Sequence, residues 1–325
     1  MERRPLGNTG LMVSALGYGC GNVGGLMVRG THEEQVRAVR RALDAGITYF
    51  DTAPSYGNGL SETHLGQVIN ELGAWDQIEV GTKLRVDAGD DPKEAVRKSM
   101  TESLKRLNTD HVDIVQLHNR IGSGNGAISP GRLVAVVEAM RAVQREGLAR
   151  QIGFTAVGDP DAVVGAMRAR FFQTGQCYFN AVNPSSGHAG VSRDTQDMNG
   201  VIDEAAQRNV GVICIRVLAG GAMVGTSERP EIAGGVGGAI VTGNDYESDV
   251  RRAQGLLGLA RELGLENAME MSLRFVLAKP GVSTALIGYS DYGQLEDAIR
   301  WADRGPLAPD QVQQILSWGT PAITA

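Results

Sequence analysis

Apolar, β-branched stretches recur along the chain at VSALGYG, ITYFD, IEVGTK, VDIVQLH, RQIGFT, QCYFNAV, VGVICIRV and STALIGY. Each is short and almost continuously hydrophobic, the pattern of a strand buried on both faces rather than one alternating between core and water. Between them run longer stretches whose apolar positions repeat with helical spacing. THEEQVRAVRRALDAG opens on Thr31 as a cap and stops at Gly46, and DPKEAVRKSMTESLKRL opens on Asp91 with Pro92 in its first turn. GRLVAVVEAMRAVQREG, DYGQLEDAIRWADRG and PDQVQQILSWG follow the same rule. This alternation predicts an α/β fold, a single (β/α)8 barrel of the TIM type with a closed parallel sheet. No stretch has the composition of an interdomain linker, so residues 1–325 read as one domain.

One segment breaks the alternation. After the seventh strand, Leu218 to Asn244 is rich in glycine and poor in bulky anchors before helical spacing resumes near Tyr246. A stretch of that length without predicted structure is usually functional or disordered. A mobile flap over the barrel mouth is expected.

Composition narrows the class of partner. A chain of 325 residues with 42% hydrophobic content buries a sizeable core. Its net charge of -6, with basic residues dispersed, argues against a nucleic acid or anionic membrane and for a small molecule. MERRPLGNTGLMVSALG lacks the apolar core of a secretory signal, and no run reaches the roughly 18 apolar residues of a membrane span. Cys20, Cys177 and Cys214 are odd in number and without CxxC spacing. Neither a disulfide framework nor a zinc site is expected, only reduced core thiols in a cytoplasmic protein.

In a parallel barrel the chemistry lies on the loops at the carboxyl ends of the strands. Asp51, Lys83 and His118 end three consecutive predicted strands on that face, and Tyr56 follows in FDTAPSYG. A phenol is a weak acid with a reference pKa of about 10. A nearby ammonium favours the phenolate, and a carboxylate holds that ammonium in place. His118 adds an imidazole to orient a substrate oxygen. The set reads as a proton donor for a carbonyl, hence carbonyl reduction or alcohol oxidation in reverse. A metal-dependent hydrolase would need clustered histidines or carboxylates at strand ends. No HxH spacing occurs, so no metal is expected, and His32 and His111 read as surface or capping residues.

FDTAPSYGNGLSETHLG, the strand-terminal TK at Lys83 and the strand-terminal His118 resemble the aldo-keto reductase family, as does nearly all of the chain from RPLGNTGLMVSALGYG to GVSTALIGYSDYGQLEDA. The resemblance implies that Asp51, Tyr56, Lys83 and His118 are the catalytic residues. It also implies a nicotinamide cofactor across the barrel mouth, NADPH by family habit with NADH as the alternative. RQIGFTA resembles the segment that grips the nicotinamide carboxamide, with Thr155 and Ala156 where the family has Ser-Asn. Gln176 matches the family glutamine at the same group, and Asn180 the asparagine after it. Ile215 replaces an aromatic stacking residue, and RVLAGG puts Arg216, Leu218 and Gly220 along the pyrophosphate path. Gly288, Ser290 and Gln294 match the stretch around the adenosine phosphate, with Ser290 in place of an arginine and Asp291 beside it. Asn22, Tyr56 and His118 are expected to line the substrate pocket. Few residues follow PDQVQQILSWG, so an open pocket for varied carbonyls, alcohols or sugars is expected. The competing expectation is a cofactor-binding regulatory subunit, since some relatives keep the tetrad and dock to membrane channels.

Overall fold

A computed structural model describes residues 1–236 and 245–319. The chain opens with an antiparallel hairpin of β1 (Arg3–Pro5) and β2 (Met12–Ser14). The barrel follows as β3 (Leu16–Gly19), β4 (Tyr49–Asp51), β5 (Glu79–Leu84), β6 (Val112–Leu117), β7 (Ala149–Thr155), β8 (Thr174–Tyr178), β9 (Gly211–Ile215) and β10 (Val282–Gly288). These eight strands are parallel, neighbour one another in chain order, and close where β10 pairs with β3. Helices cover the outside, and their expected caps are present: Thr31 with Glu34 forms a capping box, and Asp91 accepts from the amides of Lys93 and Glu94.

Two strand readings need correction. VSALGYG is not one strand. Its first part belongs to the hairpin and its second to the barrel, and the chain turns at Ala15, where the Ser14 hydroxyl donates to Leu16 O at 2.6 Å. The hairpin closes the amino-terminal end of the barrel, where Leu6 and Val13 pack with Tyr49, Ile114 and Ile213. Gly7, at φ 56°, lies so close to β9 that a Cβ there would sit 2.2 Å from the amide of Gly211. QCYFNAV likewise runs past its strand, which stops at Tyr178. Asn180 Oδ1 then accepts from the amides of Val182 and Asn183, both at 2.9 Å, and turns the chain.

The described part of the glycine-rich segment is not structureless. A short 3₁₀ helix spans Ala219–Val224, and a strap then crosses from β9 to the loop after β3. Long arginines are its anchors. Arg229 donates to Val23 O at 2.9 Å, Gly234 O at 3.0 Å and Gly220 O at 2.5 Å. Arg29 donates to Ile232 O at 2.6 Å and Asn22 O at 2.5 Å. The expected flap also includes residues 237–244, which lie outside the described residues.

Among the described residues no helix is long and apolar enough to cross a membrane, and no cluster of three His, Cys, Asp or Glu is placed to hold a metal. The cysteines are free and buried.

Candidate active site

Side chains alternate along a strand, so Tyr49 and Asp51 of β4 share the inner face of the barrel, and Gly81 and Lys83 of β5 lie beside them. Gly81 leaves room for the phenol of Tyr49: a Cβ there would sit 2.4 Å from its oxygen. Lys83 Nζ is hydrogen-bonded to Asp51 Oδ1, and both side chains are 2% exposed. Lys83 also donates to Thr52 O at 2.8 Å. The second oxygen, Asp51 Oδ2, accepts from the Tyr49 hydroxyl at 3.1 Å and from Gln176 Nε2 at 2.5 Å.

Burial pushes the Asp51 carboxyl above its ordinary range, against the opposing pull of Lys83, Tyr49 and Gln176. Burial also works to discharge Lys83, but the neighbouring Asp51 and Tyr56 outweigh it and keep the ammonium's pKa raised. Lys83 Nζ lies 4.7 Å from the centroid of the half-buried Tyr56 ring. His118 meets that ring edge-on, with centroids 6.5 Å apart at 86°. Burial, with added repulsion from Lys83 and Arg85, pushes the imidazole down to about 3. His118 is therefore neutral near pH 7, a hydrogen-bonding group rather than a cation. The expected tetrad is thus brought together at one end of the barrel.

Asn22 stands beside it. Its Oδ1 accepts from the amide of Gly57 at 2.9 Å and its Nδ2 donates to Ser55 O at 3.3 Å, so it ties down the backbone on either side of Tyr56.

Thr155 and Gln176 are register partners on β7 and β8, and the Thr155 hydroxyl donates to Gln176 Oε1 at 3.4 Å. Asn180 donates to Arg216 O at 2.9 Å. Arg216 has a left-handed backbone at φ 56°, and its guanidinium donates to Val236 O at 3.0 Å. Burial lowers its pKa, Tyr178 and Tyr56 oppose this, and Arg229 adds repulsion. Leu218 precedes the 3₁₀ turn, in which Gly220 and Gly221 take φ of 70° and 104°. Gly288 is exposed at the end of β10. The Ser290 hydroxyl donates to Gly24 O at 2.7 Å, and its amide donates to Gln294 Oε1 at 2.9 Å. Those two side chains are engaged in tying the start of helix Tyr292–Asp303 to the β3 loop. They do not join Thr155 and Gln176 around the tetrad by any hydrogen bond among the described residues.

Three contributors escaped the sequence reading. Tyr49 lies two residues before Asp51 and so on the same strand face, but its reach to that carboxylate depends on the space beside Gly81 of the next strand, which spacing alone does not show. Gln116, buried on β6, is next to the Tyr49 phenol, yet its amide has no hydrogen-bond partner among the described residues. Arg229 carried no local signal, because its partners are backbone carbonyls, and one of them, Val23 O, is distant in sequence.

A parallel barrel whose strand ends gather a buried carboxylate–ammonium pair, a phenol and a neutral imidazole holds groups able to give and take a proton. The chain is a member of the aldo/keto reductase family, whose model matches residues 15–318. It is 40% identical to L-galactose dehydrogenase of Arabidopsis thaliana over 162 residues, which are 48% of this chain and 49% of that one. It is 32% identical to D-threo-aldose 1-dehydrogenase of a Pseudomonas species over 191 residues, 49% of this chain and 54% of that one. These alignments span about half the length of each relative. Over 97% of both chains it is 24% identical to a probable voltage-gated potassium channel subunit beta of Arabidopsis thaliana. Its fold is that of an aldo-keto reductase from Klebsiella pneumoniae solved in complex with NADPH, with a TM-score of 0.69, 22% identity, and coverage of 97% of this chain and 94% of that one.

Proposed function

We propose that the protein is an NAD(P)(H)-dependent oxidoreductase acting on a small carbonyl or alcohol, with Tyr56 as the proton donor. The observation that carries this is the Lys83 ammonium against the Tyr56 ring, held by Asp51 at the barrel mouth. In reduction Tyr56 gives its proton to the substrate oxygen, and in oxidation it takes the proton back. Lys83 stabilises the phenolate in between. Neutral His118 donates one ring N–H to the same oxygen and orients it.

The residues present fit a nicotinamide dinucleotide. Arg216 and Arg229 flank Gly220 and Gly221 so closely that Cβ atoms on those glycines would lie 2.6 and 3.0 Å from guanidinium nitrogens. The guanidinium bonds go to backbone oxygens, with Asp249 acting on Arg216 from further off, so two cations stand beside these glycines, which suits a pyrophosphate. Thr155 Oγ1 and Gln176 Oε1, whose neighbouring donors are engaged with each other and with Asp51, keep acceptor lone pairs for a carboxamide N–H. When bound, the cofactor supplies or accepts the hydride at the carbonyl carbon. NADPH is the proposed form, with NADH as the alternative because Ser290 and Asp291 offer no cation to a ribose phosphate. Arg85 acts electrostatically on His118 and Arg216 on Tyr56, with Asn22 bonded to the backbone beside Tyr56, and these polar neighbours, with the similarity to two sugar dehydrogenases, support a hydroxyl-rich substrate such as an aldose. Buried free thiols fit a cytoplasmic protein.

The test is nicotinamide absorbance on mixing the protein with NADP+ or NAD+ and aldoses, and with NADPH or NADH and an activated aromatic aldehyde. Substrate-dependent turnover should fall by about 10²-fold or more in Tyr56→Phe. Turnover retained in that variant refutes the proton donor, and cofactor bound without turnover on any substrate refutes the enzymatic reading in favour of a regulatory subunit.

A further inference from the structure

The two oxygens of Asp51 have different company. Oδ1 faces Lys83, whereas Oδ2 takes both the Tyr49 hydroxyl and the Gln176 amide. We propose that Tyr49 and Gln176 are positioning residues of the proton-donating site: two neutral donors on one oxygen hold Asp51 turned toward Lys83, and so set the acidity of Tyr56 from beneath. The proposal rests on Tyr56 being the proton donor.

Tyr49, Gln176, Asp51 and Lys83 are all essentially buried, so each of these bonds acts in a medium of low dielectric. Tyr49 cannot compete as an acid, since burial and the adjacent carboxylate push its own ionisation well above that of an ordinary phenol. It is a permanent donor. Gln176 is oriented by the Thr155 hydroxyl on its Oε1, which turns its Nε2 to Asp51. Donors on a carboxylate favour the ion over the acid. The ion keeps Lys83 charged, and the charge beside Tyr56 favours the phenolate. With a donor removed, Asp51 becomes more basic, draws the proton it shares with Lys83 toward itself, and Tyr56 loses part of its cation.

Further titratable and charged groups face these residues. Asp51 acts electrostatically on the Cys20 thiol as well as on Lys83, Tyr56 faces Lys83, His118 and Arg216, and Arg85 acts on His118. Tyr49→Phe leaves all of them in place and removes one oxygen.

The experiment is a tyrosinate absorbance titration of the cofactor-free protein. Wild type minus Tyr56→Phe isolates Tyr56, and the same difference is taken in a Tyr49→Phe background. The Tyr56 midpoint should rise by roughly half to one pH unit, part of the ~1–2 units that a hydrogen bond to a charged group is worth. The limb of kcat/KM governed by Tyr56 should move with it, and Gln176→Met should shift the midpoint of the cofactor-free protein in the same direction. An unmoved midpoint in a Tyr49→Phe protein with native circular dichroism overturns the proposal. Turnover retained in Tyr56→Phe overturns instead the reading on which it rests, so the two failures are distinguishable.

Discussion

Replacing Lys83 with methionine would strand a carboxylate inside the barrel, and the structure allows the cost to be worked out. Asp51 and Lys83 are each 2% exposed, so solvent screening does not dilute their interaction. Removing one partner of such a pair costs about 3–5 kcal/mol. Asp51 would keep its bonds from Tyr49 and Gln176, which places the expected loss near the lower end, about 3 kcal/mol at neutral pH. The sign of the pH dependence follows from the carboxyl. Burial already raises its folded-state pKa above the unfolded value, and losing the cation raises it further. Such a group binds its proton more tightly in the folded state, so the deficit is full above the folded pKa and shrinks as pH falls through it toward the ordinary carboxylate range. Urea unfolding followed by far-UV circular dichroism, on wild type and variant near neutrality and about two pH units lower, reads this directly. A neutral-pH deficit under ~1 kcal/mol, or one unchanged by acid, would refute the reasoning. Lys83→Met combined with Asp51→Leu should recover most of the loss, since no orphan charge remains.

Other outcomes follow from the same geometry. The His118 imidazole, pushed down to about 3, should show no NMR titration between about pH 5 and 8, and a midpoint near 6.5 would mean that burial does not control it. Arg229→Met removes the grip on Val23, Gly220 and Gly234, so the Gly234 amide, bonded to Asn22 O at 2.8 Å, should exchange its hydrogen at least about tenfold faster. Unchanged exchange would show that the strap is held by other contacts.

The barrel was legible because its strands are buried on both faces and bounded by helices with Thr31, Asp91 or Pro92 at their starts. What the pattern could not resolve was the break at Ala15. Hairpin and barrel strand are equally apolar there, and what separates them is Ser14, whose hydroxyl donates to Leu16 O and accepts from the Thr48 amide. Asp51, Tyr56, Lys83 and His118 were legible because strand ends in a barrel share one face. Their support was less so. Tyr49 reaches Asp51 only because Gly81 on the next strand leaves space, and that is a fact of register rather than of sequence spacing. The arginine anchors of the strap were hidden for a related reason: Arg229 and Val23 lie far apart in the chain and meet only once the barrel closes.

That mode of attachment has an evolutionary side. Arg29 and Arg229 grip main-chain oxygens, which every amino acid possesses, so the fastening does not depend on which side chains residues 22, 23 and 232 carry. Gly234 is an exception, because a Cβ there would meet Asn22 O at 2.4 Å. Where the strap is held only by its main chain, as at Ile232, its side chains are free to drift, and a strap that keeps Arg229 should stay fastened to the barrel while the rest alters what the mouth admits.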